Sequence, residues 1–136
     1  MSQQNVEAVR RQHEHFTRYG EVLSEIYHLD AEWMAAREDP DAATHRGLDA
    51  IRRYFVHWAE MFENRDLHAE QLLDAGDRVF AWIRFSGTGT TSGAIVEMQQ
   101  AQIWTFRDGR VARVEEYFGR AEALEVLHGA PTPDTP

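Results

Sequence analysis

Apolar side chains in the first part of the chain recur at helical spacing. Asn5 is a favourable N-cap, and Gly20 is a typical residue for the end of the helix that follows. One face of this predicted helix carries Val6, Val9, His13 and Phe16. Further along, the pattern predicts a second short helix over residues 22–27, a short strand over residues 31–36 and a loop over residues 38–41.

The clearest helix follows Gly47. Its apolar stripe is broad and aromatic, and it consists of Leu48, Ile51, Tyr54, Phe55, Trp58, Met61 and Phe62. Such a face must pack on a large apolar surface, most simply a β-sheet.

The period changes to two after residues 64–66, which predicts strands. These strands are expected at residues 67–74, 78–88, 94–107 and 110–118. Gly76-Asp77 predicts a turn, Asp108-Gly109 is a strong hairpin signal, and Arg120–Leu127 forms a short final helix. Helices and one short strand followed by an antiparallel meander indicate an α+β architecture.

Length and charge narrow the class of protein. A chain of 136 residues fits one domain, here residues 5–128, followed by a disordered proline-rich tail at residues 129–136. A net charge of −9 opposes binding to nucleic acid and to anionic membrane surfaces. The chain has no cysteine and no lysine, which excludes thiol nucleophiles, thiolate metal sites and Schiff-base lysines.

Targeting signals are not visible in the sequence. No apolar run approaches eighteen residues, so we expect no membrane-spanning helix. The polar N-terminal residues lack the apolar core of a signal peptide, and we therefore expect a cytoplasmic protein.

Several stretches, in order and at fitting spacing, resemble the SnoaL-like domains. The matching stretches are Tyr27–Trp33, His45–Gly47, Ile51–Phe55, Asp77–Val79, Gly89–Gly93, Ile103–Val111, Glu116–Phe118 and Arg120–Leu124. These domains belong to the nuclear transport factor 2-like superfamily, with ketosteroid isomerase, limonene-epoxide hydrolase and polyketide cyclases. The resemblance implies a cone-shaped, strongly curved antiparallel sheet wrapped over the N-terminal helices, a cystatin-like α+β barrel.

Most catalytic positions of the better-known relatives do not carry over. The position of the ketosteroid isomerase base falls near Ala35, and its oxyanion positions fall on Gln102 and near Arg11–His13. The first-strand pair of limonene-epoxide hydrolase matches Ile83 and Phe85. Of that enzyme's carboxylates, only the one on the last strand has a counterpart, Glu116, so its water-activating triad is broken.

Glu116 is the first candidate for chemistry. It shares a strand face with Val114 and Phe118, and the resemblance places this face in the cavity. A carboxylate among aromatic side chains should have a raised pKa, which suits a general acid or base. Catalysis, a polar ligand contact and a structural ion pair with an arginine such as Arg84 remain open.

Gln102 is the second candidate. It alternates with Met98, Gln100, Trp104 and Phe106 on one strand face, and a buried amide must find partners. Gln102 either holds a ligand oxygen or bonds a neighbouring side chain or a buried water.

The remaining candidates shape the cavity. We expect Trp33, Tyr54, Trp58 and Trp104 to line it together with Val114 and Phe118. His28 is also a candidate ligand contact, because Asp30 could orient its imidazole, although this stretch also suits a structural corner.

The opposite sheet face carries Phe80, Trp82 and Arg84, and continued alternation along the last strand adds Tyr117 to it. We therefore expect a covered surface there, as in a homodimer.

The glycine-rich stretch Gly87–Gly93 leads into a strand rather than a helix, so it predicts a hairpin loop and no phosphate site. No histidine pair has ligand spacing, so we expect neither a metal nor a cofactor. The function expected overall is the binding of a small apolar organic molecule, with cofactor-free acid–base chemistry in which Glu116 moves a proton and Gln102 polarises an oxygen. A non-catalytic ligand-binding module and a dimeric interaction module of the same fold are the alternatives.

Overall fold

The computed structural model describes residues 2–36 and 43–129. The helices are α1 (Ser2–Tyr19), a 3-10 turn (Ser24–Ile26), α2 (Leu48–Met61) and α3 (Arg120–Leu127). The strands are β1 (Tyr27–Met34), β2 (Thr44–Arg46), β3 (Phe62–Ala75), β4 (Arg78–Gly89), β5 (Ile95–Arg107) and β6 (Arg110–Tyr117). The predicted loop at residues 38–41 and most of the predicted tail lie outside the described residues.

The C-terminal end of helix α1 was predicted correctly, whereas its N-terminal end was not. The helix ends where expected, because Gly20 takes a positive φ of 69° and its N–H bonds the carbonyl of Phe16 at 2.8 Å. It begins at Ser2, however, so Asn5 is not its N-cap. The buried Asn5 side chain instead donates to the carbonyl of Gly76 at 3.4 Å, which ties the helix to the β3–β4 turn.

The strands start earlier than the alternation suggests. β1 begins at Tyr27, which leaves only a 3-10 turn where a second helix was predicted. β3 begins at Phe62 and includes residues 64–66, which the pattern had placed before the strand. The pairing of β3 with β4 shifts between Glu63 and Asp66, and Asn64 has a φ of 54°; this irregularity hides the period of two.

The six strands form one mixed, curved and unclosed sheet in the order β2-β1-β6-β5-β4-β3. Strands β3 to β6 form the expected antiparallel meander, and the Gly87–Gly93 stretch leads into its β4–β5 hairpin. β1 pairs with β6 in parallel, so the sheet is mixed, with the expected antiparallel meander as its larger part. β2, which pairs with β1, was not predicted, because three residues carry no readable period.

The sheet separates two apolar layers. Helices α1 and α2 pack on its concave face, where the main core joins residues such as Val9, Ile51 and Trp104. Helix α3 packs on the convex face, where a second cluster joins Phe80, Ile103 and Leu127. Part of the aromatic outer face is therefore covered by the chain's own last helix, and Trp82 lies half-buried beside it. None of the helices in the described residues is both long and apolar enough to cross a membrane.

Candidate functional site

A cavity lies between the concave face of the sheet and helices α1 and α2. Its volume is about 60 Å³, which is small beside the roughly 300 Å³ at the lower end of typical ligand sites. Apolar side chains form most of its wall, namely Phe16, Trp33, Phe55, Trp58, Leu67, Ile83, Phe85 and Met98. The polar part of the wall consists of Gln12, His13, Tyr54, Gln100, Gln102 and Glu116.

Glu116 is the one carboxylate on this wall among the described residues. It belongs to β6, where its side chain is 8% exposed, and its neighbours on the strand alternate between the two faces of the sheet. The hydroxyl of Tyr54 donates to its Oε1 at 2.9 Å. Arg84, the example given for an ion-pair partner of Glu116, projects from β4 towards Glu70 and Glu97, at 3.3 and 3.7 Å.

Gln102 connects the polar groups of the cavity. The indole N–H of Trp104 can only donate, so the Gln102 atom that it contacts at 3.0 Å must be the carbonyl oxygen. That orientation directs the amide nitrogen towards Oε2 of Glu116, at 3.5 Å. Gln102 and Glu116 are direct cross-strand partners, so the register of β5 and β6 fixes this contact.

His13 completes this network from helix α1. Its Nε2 lies 2.9 Å from the same carbonyl oxygen of Gln102, so Nε2 carries the hydrogen. Burial lowers the pKa of His13 from 6.5 to about 4, and the hydrogen bond that His13 donates to Gln102 opposes this shift because it favours the charged form. The imidazole is therefore neutral at pH 7, and its buried Nδ1 has no hydrogen-bond partner among the described residues.

Gln12, the next residue along the chain, has a structural role. Its carbonyl oxygen accepts from the backbone N–H of Leu23 at 2.8 Å and from the hydroxyl of Tyr27 at 2.7 Å. Burial and the nearby charge of Glu116 raise the pKa of Tyr27, which keeps this phenol protonated as a donor. These bonds hold α1 against the start of β1 and so set the position of His13.

Trp33 and Tyr54 belong to an aromatic wall. Trp33 makes T-shaped contacts with Phe55 and Trp104, with ring centroids 5.1 and 5.3 Å apart. Tyr54 stacks on His45 with the centroids at 4.3 Å. Burial and the charge of Arg53 lower the pKa of His45, which favours a neutral ring in this stack.

The structure brings some of the predicted site residues together and separates others. Glu116, Gln102, Trp33, Tyr54 and Trp58 line the cavity. Trp104 and Val114 are fully buried in the core, and Trp104 contacts the site through its bond to Gln102 and its ring contact with Trp33.

Two of the predicted ligand contacts lie elsewhere. His28 is not on the cavity wall, because its Nε2 bonds the carbonyl of Arg107 at the β5–β6 turn. Asp30 does not orient it and instead pairs with the Arg107 guanidinium at 3.1 Å. Phe118 follows the end of β6, half-buried and away from the cavity wall.

The sequence reasoning missed the role of helix α1. The resemblance placed an oxyanion position near Arg11–His13, but neither Gln12 nor His13 was predicted as a site residue. The available signal was two adjacent polar residues at the centre of a buried helix face, which must have partners. Within residues 2–36 and 43–129, no three histidine or acidic side chains cluster as a metal site would require.

The chain has the α+β fold of nuclear transport factor 2-like proteins, with a small cavity on the concave face of its sheet. A family profile described as "SnoaL-like domain" matches residues 7–114. The chain therefore belongs to the SnoaL-like domain family, as its sequence motifs predict. No curated protein matches it.

Solved structures with the same fold come from several sources. A protein from Jannaschia assigned as a SnoaL-like polyketide cyclase is 17% identical, with 96% of this chain and 94% of that chain covered and a TM-score of 0.73. A protein with a ketosteroid isomerase-like fold from Catenulispora acidiphila, in complex with trimethylamine, is 19% identical, with 96% and 98% covered and a TM-score of 0.72. TerC, co-crystallised with polyporic acid, is 22% identical, with 92% and 98% covered and a TM-score of 0.72. At these identities the likeness shows the shared fold.

Proposed function

We propose that the chain binds a small, mostly apolar organic molecule in the concave cavity and moves a proton on it with Glu116. The observation that carries this proposal is the setting of Glu116, a carboxylate that is 8% exposed on an aromatic wall and held by the Tyr54 hydroxyl at 2.9 Å. A positioned carboxylate in an apolar site can accept a proton and return it elsewhere on the same molecule. Isomerisation, cyclisation, hydration and hydrolysis are the reaction types that need such a group and no cofactor.

The hydrogen-bond network supports this assignment. Gln102 uses its carbonyl oxygen for Trp104 and His13, so its amide nitrogen is the part that faces Glu116. Gln102 therefore acts as a positioning residue for the carboxylate in this proposal, rather than as the group that polarises a ligand oxygen. The raised pKa expected for Glu116 from its sequence context remains a prediction.

A second function in the same cavity is binding without turnover. Two features favour it: no second carboxylate lines the cavity among the described residues, and the volume of about 60 Å³ leaves little room beside Glu116. The alternative of a purely structural domain would require the cavity to stay closed to every ligand. A ring compound needs the aromatic wall to open, as side chains at such sites commonly do.

A ligand screen separates these functions. Thermal unfolding of the wild type and of Glu116→Gln would be followed with apolar ring compounds bearing carbonyl, epoxide or hydroxyl groups. A compound at a hundredfold excess over its Kd should stabilise the folded state by about 2.7 kcal/mol. Glu115→Gln is the matched control, because Glu115 lies on the same strand with its hydrogen-bond partner Tyr117 on the convex side.

Incubating each hit with all three proteins then tests turnover. If Glu116 is the acid–base group, Glu116→Gln should bind the hit and convert it ~10²–10⁴ times more slowly, while Glu115→Gln keeps the full rate. Binding by all three proteins with no conversion would favour the second function. The complete absence of hits would contradict the small-molecule proposal.

We also propose that the convex face forms a homodimer beside α3. Trp82 and Tyr117 are half-buried there, next to the cluster that α3 covers. Light scattering on the wild type and Trp82→Glu tests this, with a twofold difference in mass as the expected result. Cytoplasmic location is likewise a proposal, to be tested by fractionation of cells that express a tagged chain.

A further inference from the structure

Trp33 has a polar atom that the packing of the cavity does not use. The side chain is 3% exposed on β1 and lines the cavity, yet its indole N–H has no hydrogen-bond partner among the described residues. Buried donors are nearly always paired, because an unpaired donor loses its bond to water without replacement. The cavity wall therefore contains a donor that lacks an acceptor.

The ring that carries this donor is fixed in place. Phe55 and Trp104 meet it edge to face at 5.1 and 5.3 Å, and Tyr54 lies against it at 6.1 Å. Contacts on several sides leave the indole little freedom to rotate, so its N–H points in one direction. A fixed donor binds an acceptor with little loss of conformational entropy.

Several other polar groups of the wall are already engaged. The carbonyl oxygen of Gln102 accepts two bonds, from Trp104 and His13, and Gln12 is bonded at both its oxygen and its nitrogen. Glu116 is an acceptor when ionised, so it cannot pair with a ligand oxygen that lacks hydrogen. A carbonyl oxygen entering this cavity needs a donor, and the unpaired indole N–H of Trp33 belongs to a side chain that lines it.

We propose that the indole N–H of Trp33 binds a carbonyl oxygen of the ligand, so that the cavity prefers ketones to hydrocarbons of the same shape. This inference rests on the proposed binding of a small organic molecule and specifies its chemical class. Nδ1 of the neutral His13 cannot bind the ligand carbonyl in this way, because it carries no hydrogen to donate.

Cyclopentanone and methylenecyclopentane are the matched probes, since they differ only in the replacement of a carbonyl by an alkene. Calorimetric or NMR titration of the wild type should give about tenfold tighter binding of the ketone, as expected for one added hydrogen bond. Trp33→Phe should reduce this ratio to about one. Trp82→Phe, which changes a tryptophan on the convex face, should keep it.

A spectroscopic readout makes the test independent of how well Trp33→Phe folds. The chain has four tryptophans, so a ¹H–¹⁵N spectrum shows four indole N–H signals. The Trp33 signal is identified by its contacts with Phe55 and Trp104, and it should move downfield with the ketone and not with the alkene. The other three signals, that of Trp82 included, should move less.

Three results would overturn the proposal. The first is equal affinity of the two probes for the wild type, and the second is a ketone preference that survives in Trp33→Phe. The third is ketone binding that leaves the Trp33 signal unmoved. In each of these cases a probe binds, so the proposed ligand-binding function stands; failure of both probes and of the whole ring-compound screen would reject both proposals.

Discussion

The hydroxyl of Tyr54 donates a 2.9 Å hydrogen bond to Oε1 of Glu116, which joins helix α2 to strand β6. Tyr54 also stacks on His45 of strand β2, with ring centroids 4.3 Å apart. The carboxylate is thus positioned by a side chain whose own ring is held by a third element. This arrangement links the packing of α2 directly to the chemistry proposed for the cavity.

Replacing Tyr54 with phenylalanine should weaken both the fold and the site. The change removes a donor to a buried carboxylate and leaves the ring in place, so we expect a loss of roughly 1–3 kcal/mol in the free energy of unfolding. Urea denaturation measures this loss. Tyr19→Phe is the control, because Tyr19 is 58% exposed and its loss of a hydroxyl should change stability by less than about 0.5 kcal/mol. Equal stability of Tyr54→Phe and wild type would show that this bond contributes nothing net.

The neutral state of His13 predicts a loss of stability in acid. Burial lowers the pKa of His13 from 6.5 to about 4, so the unfolded chain takes up a proton first as the pH falls. The stability contributed by the neutral imidazole is complete above pH 6.5 and is lost as the pH falls from 6.5 towards 4. At about 1.36 kcal/mol for each pKa unit, the loss attributable to His13 is roughly 3 kcal/mol.

Denaturation curves at several pH values test this prediction. His13→Gln keeps an amide donor near Gln102 but cannot titrate, so its free energy of unfolding should fall less steeply than that of the wild type over this range. His57→Gln, on the exposed side of α2, should follow the wild-type curve. A wild-type slope that His13→Gln leaves unchanged would mean that other groups cause the acid sensitivity.

Periodicity and turn residues were enough to predict most of the fold. The stripe of α2, the turn at Asp108-Gly109 and the helix Arg120–Leu127 each appear as the sequence indicated, because local patterning and tertiary packing agree there. The parallel pairing of β1 with β6 could not be predicted in the same way, since it brings together residues far apart in the chain. The short strand β2 exists only through its pairing with β1 and has no pattern of its own.

The sequence allowed us to predict which strand face each site residue lies on, but not which side chains contact each other. Alternation along β5 and β6 placed Gln102 and Glu116 on one face, and the register makes them direct partners. The side chains that α1 brings to the site depend on how this helix crosses the sheet, and local sequence patterns do not predict that crossing. His13 was therefore not predicted as a site residue, although it bonds Gln102 at 2.9 Å.

Gln102 should be the most sensitive polar position in the core. Gln102→Leu leaves the donors of Trp104 and His13 without their shared acceptor, and each unpaired buried donor costs ~1–3 kcal/mol. We expect a total loss of roughly 2–4 kcal/mol in the free energy of unfolding.

A double-mutant cycle with Trp104→Phe isolates one of these contacts. Trp104→Phe removes one of the donors that Gln102→Leu leaves unpaired. The stability lost in the double variant should therefore be smaller than the sum of the two single losses by roughly 0.5–3 kcal/mol. Strict additivity would indicate that Trp104 does not depend on Gln102 for its hydrogen bond.

Helix α3 should contribute to stability independently of the cavity, because it packs on the other side of the sheet. Leu127 is 4% exposed and lies in the convex cluster with Phe80 and Ile103, so Leu127→Ala should lower the free energy of unfolding by ~2–5 kcal/mol. Val126→Ala is the control, since Val126 is only half-buried and the change removes less apolar contact.

The folded Leu127→Ala protein should bind any cavity ligand with unchanged Kd, as measured by titration well below its unfolding temperature. A weakened ligand affinity in this variant, at a temperature where it is fully folded, would contradict the separation of the two apolar layers and would show that α3 acts on the cavity through the sheet.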